Sequence, residues 1–129
     1  MSAAKNNQSL QNLGRALTRL EEALQEPESA PLVVDGTIQR FEFVIELFWK
    51  TYKRLLADNG MATATPREAI KKAYQAGWID DETTWLEMLE DRNATSHIYS
   101  EQQALRIYYR IKTHLPVMRK TFETLQRLS

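Results

Sequence analysis

The chain has 129 residues, 43% hydrophobic and 26% charged, which is enough length to bury one core and an ordinary composition for a globular domain. Seventeen basic residues balance seventeen acidic ones, which argues against a general nucleic-acid coat, and the lack of cysteine excludes a disulfide framework or a thiolate zinc site. No apolar run approaches the roughly 20 residues of a membrane span, and no hydrophobic region follows polar residues 1–8, so they do not read as a signal peptide. The expectation is one cytoplasmic domain over residues 1–129, flexible in residues 1–7, with no membrane association.

Leu10, Leu13, Leu17, Leu20 and Leu24 alternate spacings of three and four, predicting an amphipathic helix capped by Asn7 or Ser9 and ending before Pro27. Residues 26–31, with two prolines and a serine, read as a loop. Asp35 is the expected N-cap of a second helix with the seam Ile38, Phe41, Ile45, Phe48, Tyr52 and Leu55. Phe43, Leu47 and Trp49 widen its apolar surface. A helix apolar over more than one stripe meets more than one neighbour, which points to a bundle with room for a subunit interface. Asn59-Gly60 ends it.

Thr65-Pro66-Arg67-Glu68 is a complete start signal: N-cap, tolerated first-turn proline and capping-box acid. The short helix it opens, carrying Ile70, Ala73 and Tyr74, stops at Gly77. Asp80 or Asp81 begins the next, with Trp85, Leu86, Met88 and Leu89 on its buried side. Ser100 and Gln103 form another capping box. It opens a last helix with the seam Ala104, Tyr108, Ile111, Leu115, Met118, Phe122 and Leu125. Pro116 lies inside that pattern without disturbing its phase, which predicts a kink rather than a break. No run alternates apolar and polar residues as a strand does. The expected fold is all-α: an antiparallel up-and-down bundle of four main helices plus a short one.

Between the last two helices lies Asp91-Arg92-Asn93-Ala94-Thr95-Ser96-His97-Ile98-Tyr99, which holds one of the chain's two histidines. The other, His114, falls on the polar side of the last helix and is expected to be solvated. Charge changes sign across this stretch. Asp80, Asp81, Glu82, Glu87, Glu90 and Asp91 precede it; Arg106, Arg110, Lys112, Arg119, Lys120 and Arg127 follow it. Two solvated faces that pair with each other, or a locally basic groove, both fit. Trp49, Trp78 and Trp85 read as core or interface rather than ligand platforms.

On an uninterrupted helix Arg92 and His97 lie about 140° apart. They converge only where the helix ends near Ser96, or where two copies meet across a dimer axis. The chemistry that suits them is metal-independent work on a phosphate ester. Arg92 would grip phosphate bidentately and offset its charge, and His97 could take a proton from an RNA 2′-hydroxyl. Asn93, Thr95 and Ser96 would orient, and Tyr99 would stack or donate. No metal or cofactor is expected, because His97 and His114 lie seventeen apart and no ligand cluster has suitable spacing. On the residues alone, an arginine and a histidine at a helix end more commonly cap and pair with a neighbour such as Asp91 or Glu90.

Arg92 to Tyr99 reads R-N-x-x-x-H-x-Y and resembles the R-x4-H-x-Y motif of HEPN domains, particularly the HepT-like group. The stretch from Asp35 to Phe43 and Glu46-Leu47-Phe48-Trp49-Lys50 resemble the second helix of the nucleotidyltransferase substrate-binding protein family. So do Pro66-Arg67-Glu68, Ala76-Gly77-Trp78-Ile79-Asp80 and Trp85-Leu86-Glu87-Met88-Leu89-Glu90-Asp91-Arg92-Asn93. The resemblance covers residues 10–125 and departs at none of the Arg, Asn, His or Tyr positions. It implies a dimerising antiparallel bundle and a separately encoded minimal nucleotidyltransferase as partner. Two roles follow from it. One is a binding subunit for a nucleotide or phosphate-bearing substrate. The other is an RNase toxin with Arg92 and His97 catalytic, Asn93 and Ser96 supporting, and Tyr99 adenylylated to silence it.

Overall fold

Capping residues set where this chain turns. The structure, a computed structural model, describes residues 2–128. In order they form α1 (Ser2–Gln25), α2 (Val33–Asp58), α3 (Pro66–Gln75), α4 (Glu82–Ala94), a 3-10 turn (Thr95–His97) and α5 (Glu101–Leu128). Thr65 accepts the Glu68 N–H at 3.1 Å, and the Glu68 carboxylate accepts the Ala64 N–H at 2.7 Å, so α3 starts where the sequence predicts. Asp81, rather than Asp80, caps α4 by accepting the Thr84 N–H. The α2 and α3 ends are Schellman turns. Gly60 and Gly77 take φ of 81° and 85°, and the Met61 and Trp78 N–H groups reach back to Leu56 and Ala73.

Two expected starts are corrected. α1 begins at Ser2, so Asn7 and Ser9 lie inside it; nothing in residues 2–9 breaks a helix, and Asn6 donates to Asp58 at the far end of α2. The N-cap of α2 is Leu32, held at φ 69° after the Pro31 turn. Asp35 lies in the first helical turn, where its charge meets the positive end of the helix dipole.

Long-range pairs fix the directions. Asn6 with Asp58 makes α1 antiparallel to α2, and Glu21 with Arg119 followed by Gly14 against Phe122 makes α1 antiparallel to α5. Trp85 packs on Phe48 and Tyr52, and Thr95 reaches Glu42, so α4 runs antiparallel to α2. Asp80 with Lys120 and Asp91 with Arg110 then lay α4 antiparallel to α5. The result is the up-and-down bundle, with α2 touching every other helix.

Trp85 is fully buried, its ring 4.7 Å from Phe48 and 5.5 Å from Tyr52, and its Nε1 donates to Thr121 of α5 at 3.3 Å. Burying a side chain of this kind contributes roughly 1.5–3 kcal/mol, so this wedge fixes α4 between α2 and α5. Leu56, not Leu55, closes the α2 seam, being four residues past Tyr52 on the same face. Leu86 and Leu115 are half-buried, and Tyr74 and Phe43 are exposed. α1 and α5 approach at Gly14, where a Cβ would lie 2.9 Å from the Phe122 ring. α5 passes Pro116 unbroken.

Candidate functional site at the junction of α4 and α5

The polar stretch begins at a buried carboxylate. Asp91 is 8% exposed, and its Oδ2 accepts from Arg110 Nε at 2.8 Å and from His114 Nε2 at 3.2 Å. An ionised carboxylate only accepts, so His114 Nε2 carries the proton in this bond. Burial alone would raise the Asp91 carboxyl, but the His114 and Arg110 bonds and the charge of Arg110 outweigh it and hold it below the usual carboxylate range. His114 is therefore not solvated: it is 6% exposed, on the buried stripe of α5 between Ile111 and Met118, with Asp91 as the partner of its ring. Part of the uneven charge pairs across the helices, Asp91 with Arg110 and Asp80 with Lys120, while Arg119 of α5 pairs with Glu21 of α1.

Arg92 points the other way. Its Nη2 donates to Glu46 Oε1 of α2 at 3.1 Å, and Glu46 also pairs with Lys50. The alternative partners Asp91 and Glu90 are not used. One turn earlier on α2, Glu42 accepts from Thr95 Oγ1 at 2.6 Å, a hydroxyl that also bonds the Arg92 carbonyl. Glu42 and Glu46, four apart on one helix face, thus grip the end of α4. Their i,i+4 spacing was visible in the sequence, but their partners lie about fifty positions away. The Glu46 bond uses one of five guanidinium donors, which leaves Arg92, 37% exposed in its side chain, able to take a further oxyanion.

The helix end on which convergence of Arg92 and His97 depends is present. α4 stops at Ala94 and tightens into the 3-10 turn. Ser96 Oγ donates to the Asn93 carbonyl, while the Asn93 side chain is exposed. His97 Nδ1 lies 3.4 Å from the Tyr99 hydroxyl, a long contact, with ring centroids 6.4 Å apart. Tyr99 is 80% exposed. Ser100 accepts the Gln103 N–H, Gln103 accepts the Tyr99 N–H, and α5 begins there as expected. The fold thus pairs His97 with Tyr99 and Arg92 with Glu46. Among the described residues, no hydrogen bond or ring contact joins the two pairs.

Two grooves flank the junction. One, of about 640 Å³, runs past Ile98 and Tyr99 to Leu32 and carries Glu28, Asp35 and Glu101 with no basic residue in its lining. Glu28 also accepts a hydrogen bond from Tyr109, a bond that raises that phenol's pKa and ties the first loop to α5. The other groove, of about 540 Å³, lies along α2 and holds Arg92 with Arg40, Glu42, Phe43 and Glu46. Among the described residues no three His, Asp or Glu side chains are grouped to hold a metal ion, and no helix is long and apolar enough to cross a membrane.

The family model described as nucleotidyltransferase substrate binding protein like matches residues 8–127. The chain belongs to that family. A Haemophilus influenzae protein named probable ribonuclease HepT is 33% identical over 88 residues, 64% of this chain and 60% of the relative, so the match spans less than two thirds of that protein's length. A crystal structure of a Thermus thermophilus protein superposes with a TM-score of 0.82 at 31% identity, covering 89% of this chain and 99% of the other. A Haemophilus influenzae structure, described as having the fold of a substrate binding domain of a nucleotidyltransferase, gives 0.80 at 28% identity over 91% and 98%.

Proposed function

We propose that the chain is a substrate-binding subunit that pairs with a separately encoded minimal nucleotidyltransferase, acts as a homodimer, and holds a nucleotide or other phosphate-bearing substrate beside Arg92 and His97. The family match over residues 8–127 carries this reading. The Haemophilus structure described as a nucleotidyltransferase's substrate binding domain supports it. In it Arg92, already oriented by Glu46, takes phosphate oxygens with its remaining donors, and Asn93 and Ser96 add neutral hydrogen bonds. Calorimetric titration with ATP tests the site: Arg92→Ala should weaken binding by roughly tenfold or more, the scale of a hydrogen bond to a charged group. Equal affinity for both proteins would remove Arg92 from it. Failure of the chain to co-purify with any co-expressed minimal nucleotidyltransferase of its own genome would remove the partner.

A second reading is favoured by the contact between His97 and an exposed Tyr99, and by the relative named a probable ribonuclease. Here the chain is a metal-independent ribonuclease toxin. His97 accepts the 2′-hydroxyl proton and Arg92 offsets charge on the phosphate. Adenylylation of the Tyr99 oxygen, 3.4 Å from the imidazole, covers the base and silences the enzyme. Incubation with RNA in EDTA should show cleavage by the wild type and none by His97→Ala or Arg92→Ala. A wild type inert across a broad RNA set rules this reading out.

A further inference from the structure

The groove at Arg92 does not end at α2. It shares Arg40 and Phe43 with a second depression of about 250 Å³ between α1 and α2, to which Asn12, Arg15 and Arg19 contribute. Common lining makes the two continuous, from α1 to α4. The α1–α2 part presents three guanidiniums and no carboxylate. Arg15, Arg19 and Arg40 are exposed, and among the described residues none makes an ion pair. The carboxylates at the Arg92 end are engaged: Glu46 with Arg92 and Lys50, Glu42 with Thr95. Arg15 and Arg19 sit on the ridge between this cleft and a groove toward α5, where Glu22, three residues beyond Arg19, is the neighbouring carboxylate; among the described residues it makes no ion pair with either arginine. Unneutralised charge gathered in one cleft of a chain with zero net charge concentrates anions there.

Phe43 lies in both parts of the cleft and is 60% exposed. Arg40 and Phe43 are three apart and share a face of α2. Arg15 and Arg19 are four apart, about 6 Å along the α1 axis. We propose that this cleft is a binding track for a single-stranded polynucleotide. Arg15, Arg19 and Arg40 hold successive phosphates, a base stacks on Phe43, and the strand is led toward Arg92. The track rests on the reading of Arg92 as a phosphate site and extends its ligand from one nucleotide to a strand. Three arginines rather than lysines suit bidentate phosphate contacts, and a ring exposed among them suits a base better than an acidic peptide.

The probe is a fluorescein-labelled 2′-O-methyl RNA of about 12 nucleotides, within the span such grooves hold and resistant to any mechanism that needs the 2′-hydroxyl. Fluorescence anisotropy should show the Arg15→Ala/Arg19→Ala/Arg40→Ala variant binding at least tenfold more weakly, with the log K against log salt slope reduced by about 2. Phe43→Ala should weaken binding about tenfold without moving that slope. Arg67→Ala, an exposed arginine on α3, should bind as wild type. All these side chains are exposed, and circular dichroism checks that the fold is kept.

Wild-type strength in both the triple and Phe43 variants overturns the track, as does a wild type that binds ATP but not the strand. A poly-glutamate peptide competing as well as an unlabelled strand also overturns it, leaving an acidic-protein surface. Phe43→Ala that changes only the oligomeric state removes the stacking role. Weakening by Arg92→Ala alone sinks the track and leaves the Arg92 site standing. Weakening by the triple variant alone keeps the three arginines as a strand-binding surface but removes the Arg92 site and with it the path toward Arg92.

Discussion

The two ends of the polar stretch, Asp91 and Tyr99, lie eight positions apart and occupy opposite surroundings. Asp91 is buried, accepts two charge-assisted bonds from α5, and sits one residue before an arginine gripped by α2. Tyr99 is 80% exposed, and among the described residues His97 is the one partner within hydrogen-bond reach of its phenol. The first half fastens α4 to two helices. The second is a short turn and an extended link in which Thr95 and Ile98 hold to the bundle while Ser96, His97 and Tyr99 are exposed. A rigid platform beside an open rim is what a binding or reacting group requires, because the fixed half sets the geometry and the open half remains accessible. The difference teaches that residues in one contiguous motif can divide the labour, some building the site and some serving a ligand.

The largest expected effect breaks the platform. Asp91→Ala leaves the Arg110 guanidinium and the buried His114 ring without their shared acceptor, and should cost about 2–4 kcal/mol in urea unfolding. A loss under about 0.5 kcal/mol, the range of ordinary surface changes, would show that the cluster holds nothing. The same carboxylate gives a pH signature. Its folded pKa is lowered, so the stability it contributes is present above its ordinary value of about 3.9 and is lost as the pH falls through the folded value. Wild-type unfolding free energy should therefore decline on the acid side. Asp91→Asn, already less stable at neutral pH, should show a shallower decline; a parallel slope in both would place the proton uptake elsewhere.

Most of the fold was legible because its signals are local. Capping boxes at Thr65 and Ser100, glycines at 60 and 77, and three-four apolar spacing each act within a few residues. What escaped was set by contacts distant in sequence. His114 lies three residues past Ile111 and four before Met118, so helix phase turns it toward the core, but the partner that lets a polar ring be buried there, Asp91, is twenty-three positions away. Arg92 could have paired with Asp91 or Glu90, and it is the approach of α2 that gives it Glu46. Asp35 has the residue type of an N-cap, but the turn at Pro31 starts the helix before it. The motif residues themselves were legible as chemistry, whereas the basic cleft along Arg15, Arg19 and Arg40 draws on two helices and has no motif.

A middle-sized effect comes at the join between the halves. Glu46→Gln keeps a hydrogen bond to Arg92 but removes the charge, and the pair is about one-third exposed. About 0.5–1 kcal/mol of stability should be lost, and phosphate affinity at Arg92 should rise as the competing carboxylate disappears. A fall in ATP affinity by titration would instead mean that Glu46 is needed to aim the guanidinium.

The smallest effect on stability falls on the open rim. Tyr99→Phe and His97→Asn should each leave unfolding within about 0.5 kcal/mol of wild type, since both side chains are exposed. Modification should show the reverse sensitivity. Three tyrosines are largely exposed, Tyr74, Tyr99 and Tyr109. Tyr109 donates its hydroxyl to Glu28, which raises its pKa and makes it a poorer nucleophile. Tyr74 lies on α3 with no histidine hydrogen bond or ring contact among the described residues, whereas Tyr99 has an imidazole beside its oxygen to accept its proton. Mass spectrometry after incubation with the partner nucleotidyltransferase and ATP should place the adenylyl group on Tyr99 alone, and Tyr99→Phe should carry none. A label on Tyr74 or Tyr109 would mean that exposure, not the neighbouring histidine, selects the target.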